Sequence, residues 1–390
     1  MISVSKALSI VEKYCFPLKS VTKNVADSYG YILAEDVISP LNMPPFRQSS
    51  MDGYAFIHSE ENSFKVIAEI QTGISKNIEI KKGGAIRIFT GARVPDDADT
   101  VVMQEHVART EDQIFIDKIP EKGSNVRPEG EQIKVGEVAL EKGNFLNEAA
   151  VGFLAGLGIK NIEVYAKPKV GILITGNEIK KSGDTLAEGE IFDSNSLTLK
   201  LALKKLSIEE VEILFAKDIL EETTICLKKL LENNDVVLIS GGISVGDYDF
   251  VEEALKENGA DQLFYKVNQK PGKPLWFGKK EEKMIFALPG NPAASLTCFY
   301  IYALPLLKAQ MGFKTLQLPK LQAKSENDIK NNFAKTLFLK GNVENDIATE
   351  FSGQASSMLK SFAVSNALLI VPENVKIIKK GESVSYLKLD

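Results

Sequence analysis

Histidine is nearly missing from this 390-residue chain, which has only His58 and His106. A histidine-centred triad or a His-rich metal site is thereby set aside as its main chemistry. Cysteine is as scarce: Cys15, Cys226 and Cys298 lie far apart with no CxxC, which leaves neither a disulfide framework nor a thiolate zinc site. No stretch approaches the ~18 apolar residues of a membrane span. The opening MISVSKALSIVEKYCF lacks a basic segment followed by a long apolar core, so a cytoplasmic protein with no membrane partner is expected. An excess of positive charge is also lacking. The net charge of −5 argues against nucleic-acid binding through bulk electrostatics. Acid, base and metal chemistry must fall to carboxylates. Arginine is confined to one region, with Arg47, Arg87, Arg93, Arg109 and Arg127 all between residues 47 and 127. Bidentate oxyanion recognition by guanidinium can come only from there; a lysine-favouring composition with chance clustering accounts for the same pattern.

What is present reads as an ordinary globular chain of several domains, 44% hydrophobic and 25% charged. Residues 1–46 show helical periodicity at Ala7, Leu8, Ile10 and Val11 and stop at Pro44-Pro45. Residues 47–144 change to alternating strand-like runs such as Phe64-Lys-Val-Ile-Ala, with glycine turns between them, and read as a β-rich insertion. Asn147 caps a predicted helix from Glu148 to Leu157, whose GFLAGLG lacks both GxGxxG and a preceding strand. That helix returns the chain to the first region. From Lys169 onward strands and helices alternate: VGILIT, SNSLTLKLALKKL, VEILF, EETTICLKKLLEN, DVVLIS, FVEEALKEN. Two short strands and a long helix from Pro292 to about Met311 follow. This is the pattern of a doubly wound α/β sheet. Beyond Leu318, TLFLKGNV, ALLIVP and VSYLKL read as strands of a small C-terminal β-domain.

Ligands of open α/β sheets bind in the crevice outside the carboxyl ends of the strands. Three loops fall there. LITGNEI places Gly176 and Glu178 after the first strand, and SGGISVGDYDF places Ser240 at the end of DVVLIS and Gly241, Gly242, Ser244, Asp247 and Asp249 after it. In ALPGNPAAS, Pro292 suits a first helical position, with Gly290-Asn291 leaving first-turn amides for an anion. Between the last two, Lys270 and Lys273 flank a Pro-Gly turn in NQKPGKPLW. Lysines beside free helix-start amides suggest phosphate, and carboxylates on neighbouring loops suggest a divalent cation bridging to it. Taken singly, the lysines could form a solvated turn and Asp249 could cap the following helix. Together they point to an anionic, nucleotide-like ligand, with no Walker motif anywhere in the chain.

PPFRQSSMDGYAF, RIFTGARVPDDADTVVMQE, VGILITGNEI, SGGISVGDYDF, KPGKPLWFG and ALPGNPAAS, in this order and spacing, resemble the MoeA family of molybdopterin molybdenumtransferases over essentially the whole chain. The resemblance implies a multidomain α/β fold in four parts. These are a split N-terminal or linker domain (1–46 and 145–168), an inserted β-rich domain (47–144), a doubly wound molybdopterin-binding α/β domain (169–315) and a C-terminal β-barrel (316–390). It implies insertion of molybdate into adenylylated molybdopterin with Mg²⁺-dependent release of AMP. It also implies a homodimer, and as partners a molybdopterin adenylyltransferase and downstream cofactor-accepting proteins. The catalytic positions it marks are Asp52, Thr90, Glu178, Asp218 and Asp249, with Glu178 and Asp249 as metal ligands. Those for substrate are Arg127, Ser240, Gly241, Gly242, Ser244, Lys270, Lys273, Gly290, Asn291 and Pro292. The chain departs from the family pattern at Arg47-Gln48, at Gln132 in place of an aspartate, and at Asn177. Two alternatives stay open: a molybdopterin adenylyltransferase, which the α/β domain alone resembles, and a non-enzymatic scaffold of the gephyrin type.

Overall fold

A computed structural model describes residues 1–74, 78–243 and 249–389, which form two compact units. One unit comprises Thr22–Tyr29 and Glu35–Ile162, the other Met1–Val21, Gly30–Ala34 and Glu163–Asp390. Among the described residues no helix is long and apolar enough to cross a membrane.

The smaller unit is built on a six-stranded sheet of β1 (Gly53–Phe56), β2 (Ser63–Ile70), β3 (Gly84–Ile88), β4 (Thr100–Met103), β5 (Val107–Thr110) and β6 (Gln113–Ile116), in the order β4-β1-β3-β2-β6-β5. Successive side chains of a strand point to opposite faces, and here both faces are buried. Ala55, Ile86, Ile88 and Val101 enter one core, while Tyr54, Phe56, Ala85 and Val102 enter another. The expected helix spans Glu148–Gly156, and the Asn147 side chain accepts the Ala150 N–H as its cap. GFLAGLG is therefore part of a capped helix and not a nucleotide loop.

In the larger unit, β7 (Val170–Thr175), α1 (Asn195–Lys205), β8 (Val211–Ala216), α2 (Leu220–Asn233), β9 (Val236–Ser240) and α3 (Val251–Glu257) realise the predicted alternation. They are followed by β10 (Asp261–Tyr265), β11 (Trp276–Lys280), β12 (Lys283–Leu288), α4 (Pro292–Cys298) and α5 (Leu304–Gln310). The sheet order is β8-β7-β9-β12-β11-β10, with the first four strands parallel and the last two antiparallel. Alternation again separates two cores. Ile172, Ile174 and Leu238 meet α1 and the α4 region on one face; Leu173, Val237 and Ile239 meet α2 and α3 on the other. The edge strand β10 escapes a sequence reading because DQLFY carries no β-branched residue and buries only Phe264. The long helix from Pro292 is interrupted by a π-helical turn at Phe299–Ala303. Pro305 has no N–H for the carbonyl four residues back, which favours the wider turn just before it.

The C-terminal strands β13 (Lys320–Ser325), β14 (Thr336–Glu344), β15 (Ile347–Glu350), β16 (Ala367–Val371) and β17 (Ser383–Lys388) pair in the order β14-β15-β13-β17-β16. β14 also pairs with β16, which closes the expected C-terminal β-barrel with these five strands. Gln269–Lys270 adds a short parallel strand to the start of β14.

Candidate active site

The strand order of the α/β sheet reverses at β7. The chain goes to β8 on one side and returns to β9 on the other, so the crevice of this fold opens past the carboxyl ends of β7 and β9. A cavity of about 600 Å³ occupies that position. Thr175, Gly176 and Glu178 line it from β7, Asp218 from β8, Ser240 to Ile243 and Asp249 from β9, and Pro289 to Pro292 from β12. Ser357 of the barrel reaches the same cavity.

Each loop has a local reason for its course. Gly241 and Gly242 have φ of 103° and 59°, in the region open to glycine. An added Cβ at Gly241 would lie 2.6 Å from the Thr175 carbonyl oxygen. Bare backbone at 241 is what lets the β9 loop pass beside the end of β7. The β7 and β8 loops are tied reciprocally: Asn177 N–H donates to Asp218 Oδ2 at 3.0 Å, and Asp218 N–H donates to Asn177 Oδ1 at 3.2 Å. Asn177 is thus a structural tether. Asn195 at the start of α1 donates through Nδ2 to Ser240 Oγ at 2.8 Å and to the Gly290 carbonyl at 2.7 Å, joining the β9 and β12 loops. The Tyr265 hydroxyl donates to the Ile243 carbonyl; burial first, then the charges of Glu252 and Asp249, push its pKa up.

The structure brings together many of the residues expected from sequence. Glu178, Asp218, Asp249, Ser240, Gly241, Gly242, Gly290, Asn291 and Pro292 all line the one cavity. Ser244 and Asp247 lie outside the described residues. Lys270 and Lys273 are exposed and are not in its lining, although Pro274 is. Lys270 Nζ sits 3.4 Å from the centroid of the Phe333 ring. Their turn is anchored from inside: buried Gln269 donates through Nε2 to the carbonyls of Pro271 and Gly272. Asp249 does not cap α3, whose N-cap is Phe250. One expectation needs correction. The first turn of α4 is not left wholly open to an anion, because Ala294 N–H already donates to the Ser356 carbonyl. Sequence position could not reveal a carbonyl that arrives from the barrel.

Thr175, Asn195 and Ser357 are among the lining residues that escaped the sequence reading. Thr175 Oγ1 and Asn195 Oδ1 are buried with no hydrogen-bond partner among the described residues, and Ser357 comes from a segment without a motif. Buried polar atoms are nearly always paired, so two orphans at one cavity indicate a polar ligand. Among the described residues no three His, Cys, Asp or Glu side chains gather into a metal cage. Four carboxylates, Glu178, Asp193, Asp218 and Asp249, instead lie spread over the cavity wall; Mg²⁺ bound together with substrate phosphates and water needs only one or two such ligands from the protein.

The smaller unit carries Asp52, Thr90 and Arg127. Asp52 Oδ1 accepts from both Thr90 N–H and Thr90 Oγ1, each at 2.8 Å. These two bonds, aided by the Arg87 charge, hold its carboxyl below the usual range. A lowered carboxyl pKa contributes stability above the unfolded-state value that is lost as pH falls through the folded one. Thr90→Val is therefore expected to raise the Asp52 titration midpoint, read by carboxylate NMR; an unmoved midpoint would show that the hydroxyl bond contributes nothing. The arginine cluster divides by role. Arg47 donates to the carbonyls of Pro95, Asp96 and Ala98, Arg87 to Gly53 and Gln104, and Arg109 to Glu111. Arg93 faces Asp96 at 3.4 Å. Arg127 is exposed on a short strand paired with Gln48.

Comparison with known proteins agrees along the whole chain. Residues 2–158 match the family described as MoeA N-terminal region (domain I and II), residues 171–309 a probable molybdopterin binding domain, and residues 322–389 the MoeA C-terminal region (domain IV). A molybdopterin molybdenumtransferase of Haemophilus influenzae is 34% identical over 99% of this chain and 98% of its own. That of Staphylococcus epidermidis is 33% identical over 99% and 95%. The crystal structure of a molybdopterin biosynthesis MoeA protein from Pyrococcus horikoshii superposes with a TM-score of 0.83 at 30% identity, covering 100% of this chain and 99% of that one.

Proposed function

The chain belongs to the MoeA family of molybdopterin molybdenumtransferases, and on that premise we propose that it inserts molybdate into adenylylated molybdopterin and releases AMP in a Mg²⁺-dependent step. The carrying observation is the cavity at the strand reversal, where loops from four parallel strands present carboxylates, bare backbone and two polar atoms unpaired among the described residues to one ligand. In this reading Ser240, Gly241, Gly242, Gly290 and Asn291 seat the substrate beside backbone amides. Glu178 and Asp249 would hold Mg²⁺, which supplies charge neutralisation at the phosphoanhydride. Asp218 keeps the Glu178 loop in place through Asn177. Lys270 and Lys273 are the cations proposed to reach the anionic substrate from the cavity rim, and Asp52, Thr90 and Arg127 belong to the same function. The molybdopterin dithiolene supplies the sulfur ligands, so three scattered free thiols are no obstacle. A homodimer, a cytoplasmic location, the four-domain division, and exchange with an adenylyltransferase and with cofactor-accepting proteins complete the proposal.

The test is direct. Purified protein mixed with adenylylated molybdopterin, molybdate and Mg²⁺ is expected to release AMP and form molybdenum cofactor, with both products absent when molybdate is withheld at physiological concentrations. Release of pyrophosphate from ATP and molybdopterin, with no AMP from the adenylylated substrate, would assign the adenylyltransferase reaction instead.

A further inference from the structure

A buried lysine in the barrel holds one wall of the cavity. β14 sends Leu337 and Leu339 into the barrel core, while Phe338 packs against the core of the α/β sheet. By strand alternation Lys340 follows Phe338 on that outward face. Lys340 is only 2% exposed. Its Nζ donates to the carbonyls of Ala355 at 3.1 Å and Met358 at 2.9 Å, and no carboxylate forms an ion pair with it among the described residues. An ammonium taken out of water without a counter-charge opposes folding, and burial accordingly lowers its pKa.

The two carbonyls that Lys340 grips bracket Ser356 and Ser357. The Ser356 hydroxyl accepts from Asn291 Nδ2 at 3.0 Å, its carbonyl accepts from Ala294 N–H at 3.1 Å, and Ser357 lines the cavity. Gln354 clamps the same segment, accepting from Lys340 N–H and donating to the carbonyls of Lys340 and Phe351.

We propose that Lys340 is a positioning residue for the transferase reaction: its buried ammonium holds the Ser356–Ser357 segment against the first turn of α4, setting the cavity wall that meets the substrate. The inference rests on the function proposed above, and its test separates the two. Lys340→Met keeps the length of the side chain and removes the charge, which relieves the desolvation penalty. The full-length variant should melt no lower than wild type. Amide exchange read by mass spectrometry should quicken about tenfold or more in residues 351–362 and at the start of α4, and stay unchanged in β16. KM for adenylylated molybdopterin should rise about tenfold with kcat within about twofold, and Lys340→Arg should restore KM. Unchanged exchange and KM would overturn the proposal. So would a lower melting point with faster exchange throughout the barrel and no rescue by arginine, which would assign a structural role only. If Lys340→Met does not fold, Gln354→Ala asks the same question of the same segment. Should wild type release no AMP, the proposed function fails, and the exchange measurements still decide whether Lys340 holds the wall.

Discussion

Glu178→Gln and Asp249→Asn are each expected to cut AMP release on the order of 10²- to 10³-fold at ordinary Mg²⁺, the scale of losing a charged group that stabilises a reacting phosphate. Both side chains line the cavity from different strand ends, and both substitutions keep size while removing charge. If they hold a cation between protein and phosphate, raising Mg²⁺ should recover part of the loss, whereas binding of unadenylylated molybdopterin should change little. EDTA should suppress wild-type turnover in the same manner. Turnover that persists in excess EDTA, or variants whose losses are independent of Mg²⁺, would remove the metal role from these two residues.

The second large effect concerns stability. Gly53 belongs to the MDGYA motif and sits in β1, the strand paired to both β3 and β4. Its φ is not positive, so a local reading of the backbone gives no reason for glycine there. The reason is lateral: an added Cβ would fall 1.8 Å from the Val102 carbonyl oxygen of β4. Backbone inside a paired sheet cannot yield cheaply, so Gly53→Ala should cost ~3 kcal/mol or more, at or beyond the upper end for overpacking. Gly152 makes the contrast. It lies within the helix Glu148–Gly156 with open space where a Cβ would go, and Gly152→Ala should stabilise by ~0.5–1 kcal/mol. Thermal and urea melts of the two variants check both. A Gly53→Ala protein within 1 kcal/mol of wild type would mean that β1 and β4 part more easily than their pairing indicates.

Much of the architecture was legible beforehand because period and punctuation are local properties. Short apolar runs ending in glycine marked β7 and β9, Asn147 marked its helix start, and Pro292 opens α4 as expected. Glu178, Asp249, Ser240 and Asn291 could be assigned to one site because the ends of parallel strands must share an edge, whatever the side-chain detail; Asp218 was marked only by the family resemblance. Distant partners could not be read in this way. The roles of Asn177, Asn195 and Gln269 are hydrogen bonds to residues on other loops or helices, and nothing in the flanking sequence distinguishes such an amide from a solvated one.

Residue order by itself therefore determined the class of the chain, the alternation that builds the α/β sheet, and the carboxylates available for chemistry. Composition and periodicity act over a few residues and survive without a fold. Tertiary structure alone decided which polar atoms are left unpaired, which helix-start amide is already taken by Ser356, and that a lysine in a barrel strand grips the cavity wall. Those outcomes depend on burial and on angstrom-scale meetings between segments far apart in sequence, where a hydrogen bond or a charge has a value only once water has been excluded.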